Sequence, residues 1–153
     1  MQLQILQIAP TKDKNLLAIE QEYEKRIKPF ANLTTTTLKP SKSDQCKQAQ
    51  EEEKDKFLPR LDPKANIIAL DENGPQLSSQ QFAEAIQKTR DHGPGRIQFL
   101  IGGSHGLHPE VRKKANQTLS LSKMTFTHEM VRIFLKEQLY RAFTIIENRT
   151  YHK

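Results

Sequence analysis

The chain contains one cysteine, Cys46, and no tryptophan. A lone cysteine excludes an internal disulfide, and with it the disulfide-stapled secreted scaffold. Cys46 lies in the polar stretch "SDQCKQAQ", a setting for an inert helical thiol rather than a reactive one. Long apolar runs are missing too, and none approaches the roughly 20 residues of a membrane span. The opening "MQLQILQIAP" alternates, with no basic region ahead of a long apolar one, so it does not read as a signal peptide. Together these absences predict a cytoplasmic protein. Glycine is scarce as well, and three of the six glycines fall within five residues, "GGSHG" at 102–106. Internal repeats, low-complexity segments and long linkers are absent.

What remains is an ordinary globular composition, 35% hydrophobic and 27% charged over 153 residues. That length is enough for one domain, residues 1–153, with a real core. The net charge of +6 and pI near 9.5 suit a phosphate-rich partner such as RNA. The lysines are dispersed, however, and many basic proteins bind no nucleic acid.

Periodicity divides the chain into alternating strands and helices. Residues 2–9, 32–39, 66–71 and 96–101 read as strands, the second from its β-branched threonines. Helices are predicted over 13–28, 43–58, 79–91, 108–116 and 128–147. In the first, Leu16, Ile19, Tyr23 and Ile27 share a face; in the third, Phe82, Ala85, Ile86 and Thr89 do. The run Glu51-Glu52-Glu53 reads as a solvated helical face. Residues 118–125, "TLSLSKMT", alternate as a short strand or an extended loop. The whole pattern predicts an α/β fold with a mainly parallel sheet flanked by helices. Ligands bind such sheets beyond the carboxyl ends of the strands. Three such ends are of interest: Leu70-Asp71, Ile101-Gly102 and Met124-Thr125.

The glycine loop at 102–106 lacks the Lys-Ser/Thr ending of a P-loop, and its spacing is not that of a dinucleotide fingerprint. It remains either a plain tight turn or a place where a ligand presses against bare backbone. His105 and His108 lie nearby but make a poor metal site by themselves. The last helix carries Val131, Phe134, Leu135, Leu139, Ala142, Phe143 and Ile146 on one face. Met130, Ile133, Tyr140 and Ile145 extend that face around most of its circumference. Such a helix is buried on more than one side, in a monomer core or partly at a subunit interface.

The stretches "LDENGPQLSSQQFA", "FLIGGSHGLHPEV", "LSLSKMTFTHEMVRIFLKEQLYRAF" and "YHK" resemble the RlmH family. These are SPOUT-class methyltransferases of bacterial 23S ribosomal RNA. Thr127 departs from the proline found in many relatives. The resemblance implies a SPOUT-type domain with a C-terminal trefoil knot. It also implies a homodimer, S-adenosylmethionine as methyl donor with S-adenosylhomocysteine as product, and no metal. The implied acceptor is N3 of a pseudouridine in 23S rRNA, presented as free RNA, large subunit or assembled ribosome. By similarity the cofactor pocket comprises Leu70, Gly102, Gly103, Leu121, Ser122, Lys123, Met124, Thr125 and Phe126. His152, Tyr151 and Arg132 are the catalytic candidates. His152 would serve as proton acceptor or orienting group, Tyr151 as a base-stacking ring, and Arg132 as a phosphate or imide-anion ligand. Glu129 and His128 are weaker candidates, His128 as a structural histidine; Arg149 and Lys153 would contact phosphate, and His105 RNA or the cofactor carboxylate. The rival readings are a non-catalytic RNA-binding ribosome assembly factor on the same fold and a doubly wound nucleotide enzyme.

Overall fold

The computed structural model describes residues 1–152. Five strands, β1 (Gln2–Ile8), β2 (Asn32–Leu38), β3 (Asn66–Leu70), β4 (Arg96–Ile101) and β5 (Gln117–Leu119), form one sheet in the order β2-β1-β4-β3-β5. All four pairings are parallel. The helices are α1 (Lys14–Ile27), α2 (Cys46–Phe57), α3 (Ser79–Asp91), α4 (Pro109–Lys114) and α5 (His128–Ile146).

Short polar signals set the helix starts. Asp13 accepts from the Asn15 and Leu16 amides at the head of α1. Ser78 and Gln81 close a capping box on α3, and Thr127 caps α5 through the Met130 amide. The expected alternation of 118–125 ends early. β5 stops at Leu119, because the Ser120 hydroxyl turns back to the Ser122 carbonyl and the Ser122 hydroxyl accepts from the Met124 amide. Met124-Thr125 is therefore a turn and not a strand end.

The sheet is covered on both faces. Leu3, Ile5, Ile68, Ile97, Phe99 and Ile101 face α1, α3 and α5, which add Ile27, Phe82, Ile86, Leu135, Leu139 and Phe143. Leu6, Ile8, Ile67, Ala69 and Leu100 face α2 and α4, which add Phe57 and Val111. Burial of this kind is the main stabilising term, about 25 cal/mol per Å² of apolar surface removed from water.

Two amphipathic readings change in three dimensions. In α1 the position predicted to be apolar, Ile19, is 42% exposed, and Glu20 is buried in its place. The cause lies on α5: Lys136, itself buried, donates to Glu20 and, at 2.8 Å, to Glu24. In α3 the buried face is Phe82, Ala83, Ile86 and Thr89, with Ala85 only half-buried.

Candidate functional site

Sheet order decides what meets at the carboxyl edge. β3 lies between β4 and β5, so the chain leaving Leu70, the chain leaving Ile101 and the chain leaving Leu119 emerge side by side. These are the three segments that hold the nine residues proposed for the cofactor. The loop after β3 wraps the loop after β5: Ser120 bridges Gln76, its amide donates to the Pro75 carbonyl, and the Asp71 amide donates to the Leu119 carbonyl. Thr125 ties the later part of that loop to Glu72 at 2.6 Å. Burial pushes the Asp71 carboxyl up, but Arg112 at 2.6 Å and the Asn73 groups outweigh it and leave it below the usual range.

Between these loops and α5 lies a cavity of about 490 Å³. Leu77, Phe82, Leu119, Leu121, Phe126 and Phe134 give it apolar walls; Ser78, Ser79, Ser120, Ser122 and Gln138 give it hydrogen-bonding groups. Phe126 and Phe134 meet with ring centroids 5.0 Å apart. The volume and the mixture of apolar wall with a few polar groups are those of a small-molecule site. Of the nine proposed cofactor residues, Leu121, Ser122 and Phe126 line it directly. Leu70 packs against the adjoining core, while Lys123, Met124 and Thr125 are exposed, Met124 at 74%. Leu77, Ser78, Ser79 and Gln138 were not singled out from sequence. In one dimension Ser78 and Ser79 look like a helix cap, and a cap that also faces a cavity gives the same signal.

The glycine loop is a closed turn, its Gly106 amide donating to the Gly103 carbonyl at 3.0 Å. Gly106 has φ of +73°, where a side chain is strained. A Cβ on Gly102 would fall 2.7 Å from the Gly106 carbonyl carbon. A Cβ on Gly103 would fall 3.0 Å from the Glu53 carboxylate and 3.2 Å from Ile8. The side-chain direction at Gly103 is therefore filled by protein. The expectation that Glu51-Glu52-Glu53 is a solvated face is corrected for Glu53 alone, which is buried at the turn because α2 lies across this loop. Glu51 stays exposed and pairs with His108 at 3.0 Å.

The catalytic candidates do not converge on the cavity within one chain. Arg132 is fully buried, donating to the Ile8 carbonyl at 2.7 Å and to Thr11 at 2.8 Å. Burial pushes its guanidinium down, opposed by Glu20 and Glu129. Two of its donors are thus spent on the interior of its own chain, while its Nε has no hydrogen-bond partner among the described residues. Glu129 accepts from the Lys12 amide at 2.7 Å, so the first turn of α5 holds the β1–α1 connection twice. His128 is half-buried, and burial and then Arg132 lower its proton affinity.

The tail folds back on the far half of α5. The Tyr151 ring meets Tyr140 edge-on at 4.7 Å, lies under the Arg141 guanidinium at 4.9 Å, and its hydroxyl donates to Glu137 at 3.1 Å. Burial, then the Tyr23 hydroxyl and Glu137, push that phenol well above its usual value. It is a neutral ring at physiological pH. His152 is exposed, with Nδ1 3.4 Å from Arg141. Arg149 sits over Phe30 at 4.7 Å, so its expected role in binding phosphate competes with a cation–π contact. Lys153 lies outside the described residues. Glu137, which accepts from Tyr151, neighbours Gln138 of the cavity wall, so the tail packs on α5 beside the cavity without lining it.

Comparison with known proteins agrees with this geometry. Residues 1–152 match a family described as "Predicted SPOUT methyltransferase". Among curated relatives, the Ribosomal RNA large subunit methyltransferase H of Trichlorobacter lovleyi is 44% identical over 152 residues, covering 99% of each chain. The protein of the same name from Christiangramia forsetii is 40% identical, again over 99% of each. Among solved structures, a probable methyltransferase from Bordetella pertussis superposes with a TM-score of 0.56 at 10% identity, covering 92% of this chain and 95% of that one. A putative methyltransferase from Legionella pneumophila, solved with bound SAM, gives 0.52 at 12% identity, covering 93% and 66%. Those two likenesses establish the fold, and the full-length family match and the curated relatives establish that the chain belongs to the SPOUT methyltransferase family, in the group of the ribosomal RNA large subunit methyltransferase H proteins.

Proposed function

We propose that this protein methylates N3 of a pseudouridine in 23S ribosomal RNA, using S-adenosylmethionine as donor and acting as a homodimer. The observation that carries the reading is the coincidence of full-length identity to relatives bearing the large-subunit methyltransferase name with a cavity where the β3 and β5 loops meet. The residues present fit the donor. Leu121, Phe126 and Phe134 offer an apolar slot for an adenine, and Ser120, Ser122 and Gln138 offer groups for its polar edge and ribose. Gly102 and Gly103 lie at the neighbouring strand end, in the turn that would approach the methionine or ribose part. When bound, the donor supplies a methyl group already activated on a sulfonium, so the chemistry needs no metal.

The chain's own task is then alignment and proton handling. The nitrogen–carbon bond forms as the sulfur–carbon bond breaks, and the N3 proton must leave. His152 takes or orients that proton, its reference pKa lying near neutrality. Tyr151, neutral and half-buried, stacks on the target base. Arg149 and the basic surface contact phosphate. In this reading the site is shared, one subunit's tail serving the other's cavity, because Tyr151 and His152 do not line the cavity of their own chain. α5, apolar beyond one stripe, supports the dimer. The wrapping of residues 119–120 by the 71–76 loop supports the trefoil knot, a topology that general connection rules exclude.

The test is methylation of ribosomes from a strain lacking this gene, with the modified nucleotide mapped. Methyl transfer to a pseudouridine at N3 is the expected result. RNA binding without cofactor binding would transfer the case to the assembly-factor reading.

A further inference from the structure

Helix α2 touches the glycine turn at three points. Gln50 donates to the His105 carbonyl at 2.7 Å, Glu51 meets His108 at 3.0 Å, and Glu53 reaches Gly103 itself. The Glu53 carboxylate is 7% exposed, and its two oxygens lie 3.0 and 3.1 Å from the point where a Gly103 side chain would begin. It accepts from the Ser41 amide at 3.3 Å and packs both oxygens against Gly103. Lys56 and His105 are the charged and titratable groups nearest to it, and neither forms an ion pair with it among the described residues. A buried carboxylate without an ion pair is costly unless a backbone donor holds it, and the Ser41 amide holds this one against the glycine turn.

We propose that Glu53 is a positioning residue for methyl-donor binding: it fixes the Gly103 peptide, and with it the bare backbone of the glycine turn that the cofactor meets. The inference rests on the assignment of Gly102 and Gly103 to the donor site. Gly103 is then needed for a reason the sequence does not suggest. Its missing side chain makes room for the carboxylate that packs against it. Glu53 touches neither substrate nor cofactor and acts through the peptide it holds.

The test compares the intact protein with Glu53→Gln, which keeps size but replaces one acceptor oxygen with a donor that repels an amide. Asp55→Asn, with its side chain 76% exposed on the same helix, is the control. Calorimetry with S-adenosylmethionine, steady-state kinetics on ribosomes and hydrogen exchange of residues 102–108 are measured. Glu53→Gln is expected to raise the donor Kd and KM by about tenfold, the scale of one charged hydrogen bond, and to speed exchange in the turn. The KM for ribosomes and kcat at saturating donor stay within twofold, and Asp55→Asn changes nothing. Unchanged donor affinity in a folded Glu53→Gln protein that otherwise methylates would overturn this inference alone. A uniform loss across both KM values and kcat would also overturn it, as a merely structural role. No donor binding by the intact protein would overturn the functional reading and this inference together. If Glu53→Gln fails to fold, Gln50→Ala, which removes the second contact to the turn, must show the same split in smaller degree; unchanged exchange and donor KM in it would overturn the proposal.

Discussion

Lys136→Met should expose how heavily the α1–α5 contact depends on one buried ammonium. Lys136 is 1% exposed and lies between Glu20 and Glu24. Arg132, one turn earlier on α5, supplies a second cation beside the same Glu20, which Thr11 also contacts. The four charges balance, two of each sign. Methionine keeps most of the lysine stem's volume, so the change removes charge more than packing. Glu20, 3% exposed, is then left with a hydroxyl and the more distant Arg132. Breaking a buried pair from one side costs about 3–5 kcal/mol, because the remaining ion keeps its desolvation penalty. At roughly 3 °C per kcal/mol for a domain of this size, the melting temperature should fall by about 9–15 °C. The assay is thermal unfolding by calorimetry, with urea unfolding as a check. Adding Glu20→Gln to Lys136→Met removes the stranded charge and should recover at least half the loss. A single variant within about 3 °C of the intact protein would refute the reasoning, as would a double variant less stable than the single one.

Three further outcomes are expected. Deleting Tyr151 to Lys153 should leave donor binding within a few-fold by calorimetry and lower methyl transfer to ribosomes roughly 100-fold, the scale of lost positioning and proton transfer; normal turnover would remove the tail from the site. Sedimentation at micromolar concentration should give twice the 17.7 kDa of one chain, and the single-chain mass would exclude a shared site. His128, held below its ordinary value of 6.5 by burial and Arg132, binds a proton more readily in the unfolded chain. Its contribution is therefore present above pH 6.5 and is lost as pH falls through the folded value, so His128→Gln should flatten the acid side of the melting-temperature profile.

Much of the architecture was legible in one dimension. Strand and helix periods are local signals, and local hydrogen bonding honours them, with Asp13, Ser78 and Thr127 capping the helices near their expected starts. The motifs around residues 70–83, 99–111 and 119–143 and the tail also sufficed to recognise the family. What local pattern does not encode is which elements become neighbours. Only the sheet order brings the ends of β3, β4 and β5 together. Glu20 and Glu53 read as solvent-facing because a helical period counts them as polar. Each is buried because a partner from elsewhere in the sequence meets it: Lys136 of α5 for the first, the Ser41 amide and the Gly103 turn for the second. Arg132 read as a ligand for phosphate, and the tertiary structure turned it inward to a β1 carbonyl. Charge and period are properties of single residues and short windows, so the sequence alone determined the elements and the family. Desolvation is a property of what packs on top, so only the tertiary structure decided which charges stay in water and which hold the fold together.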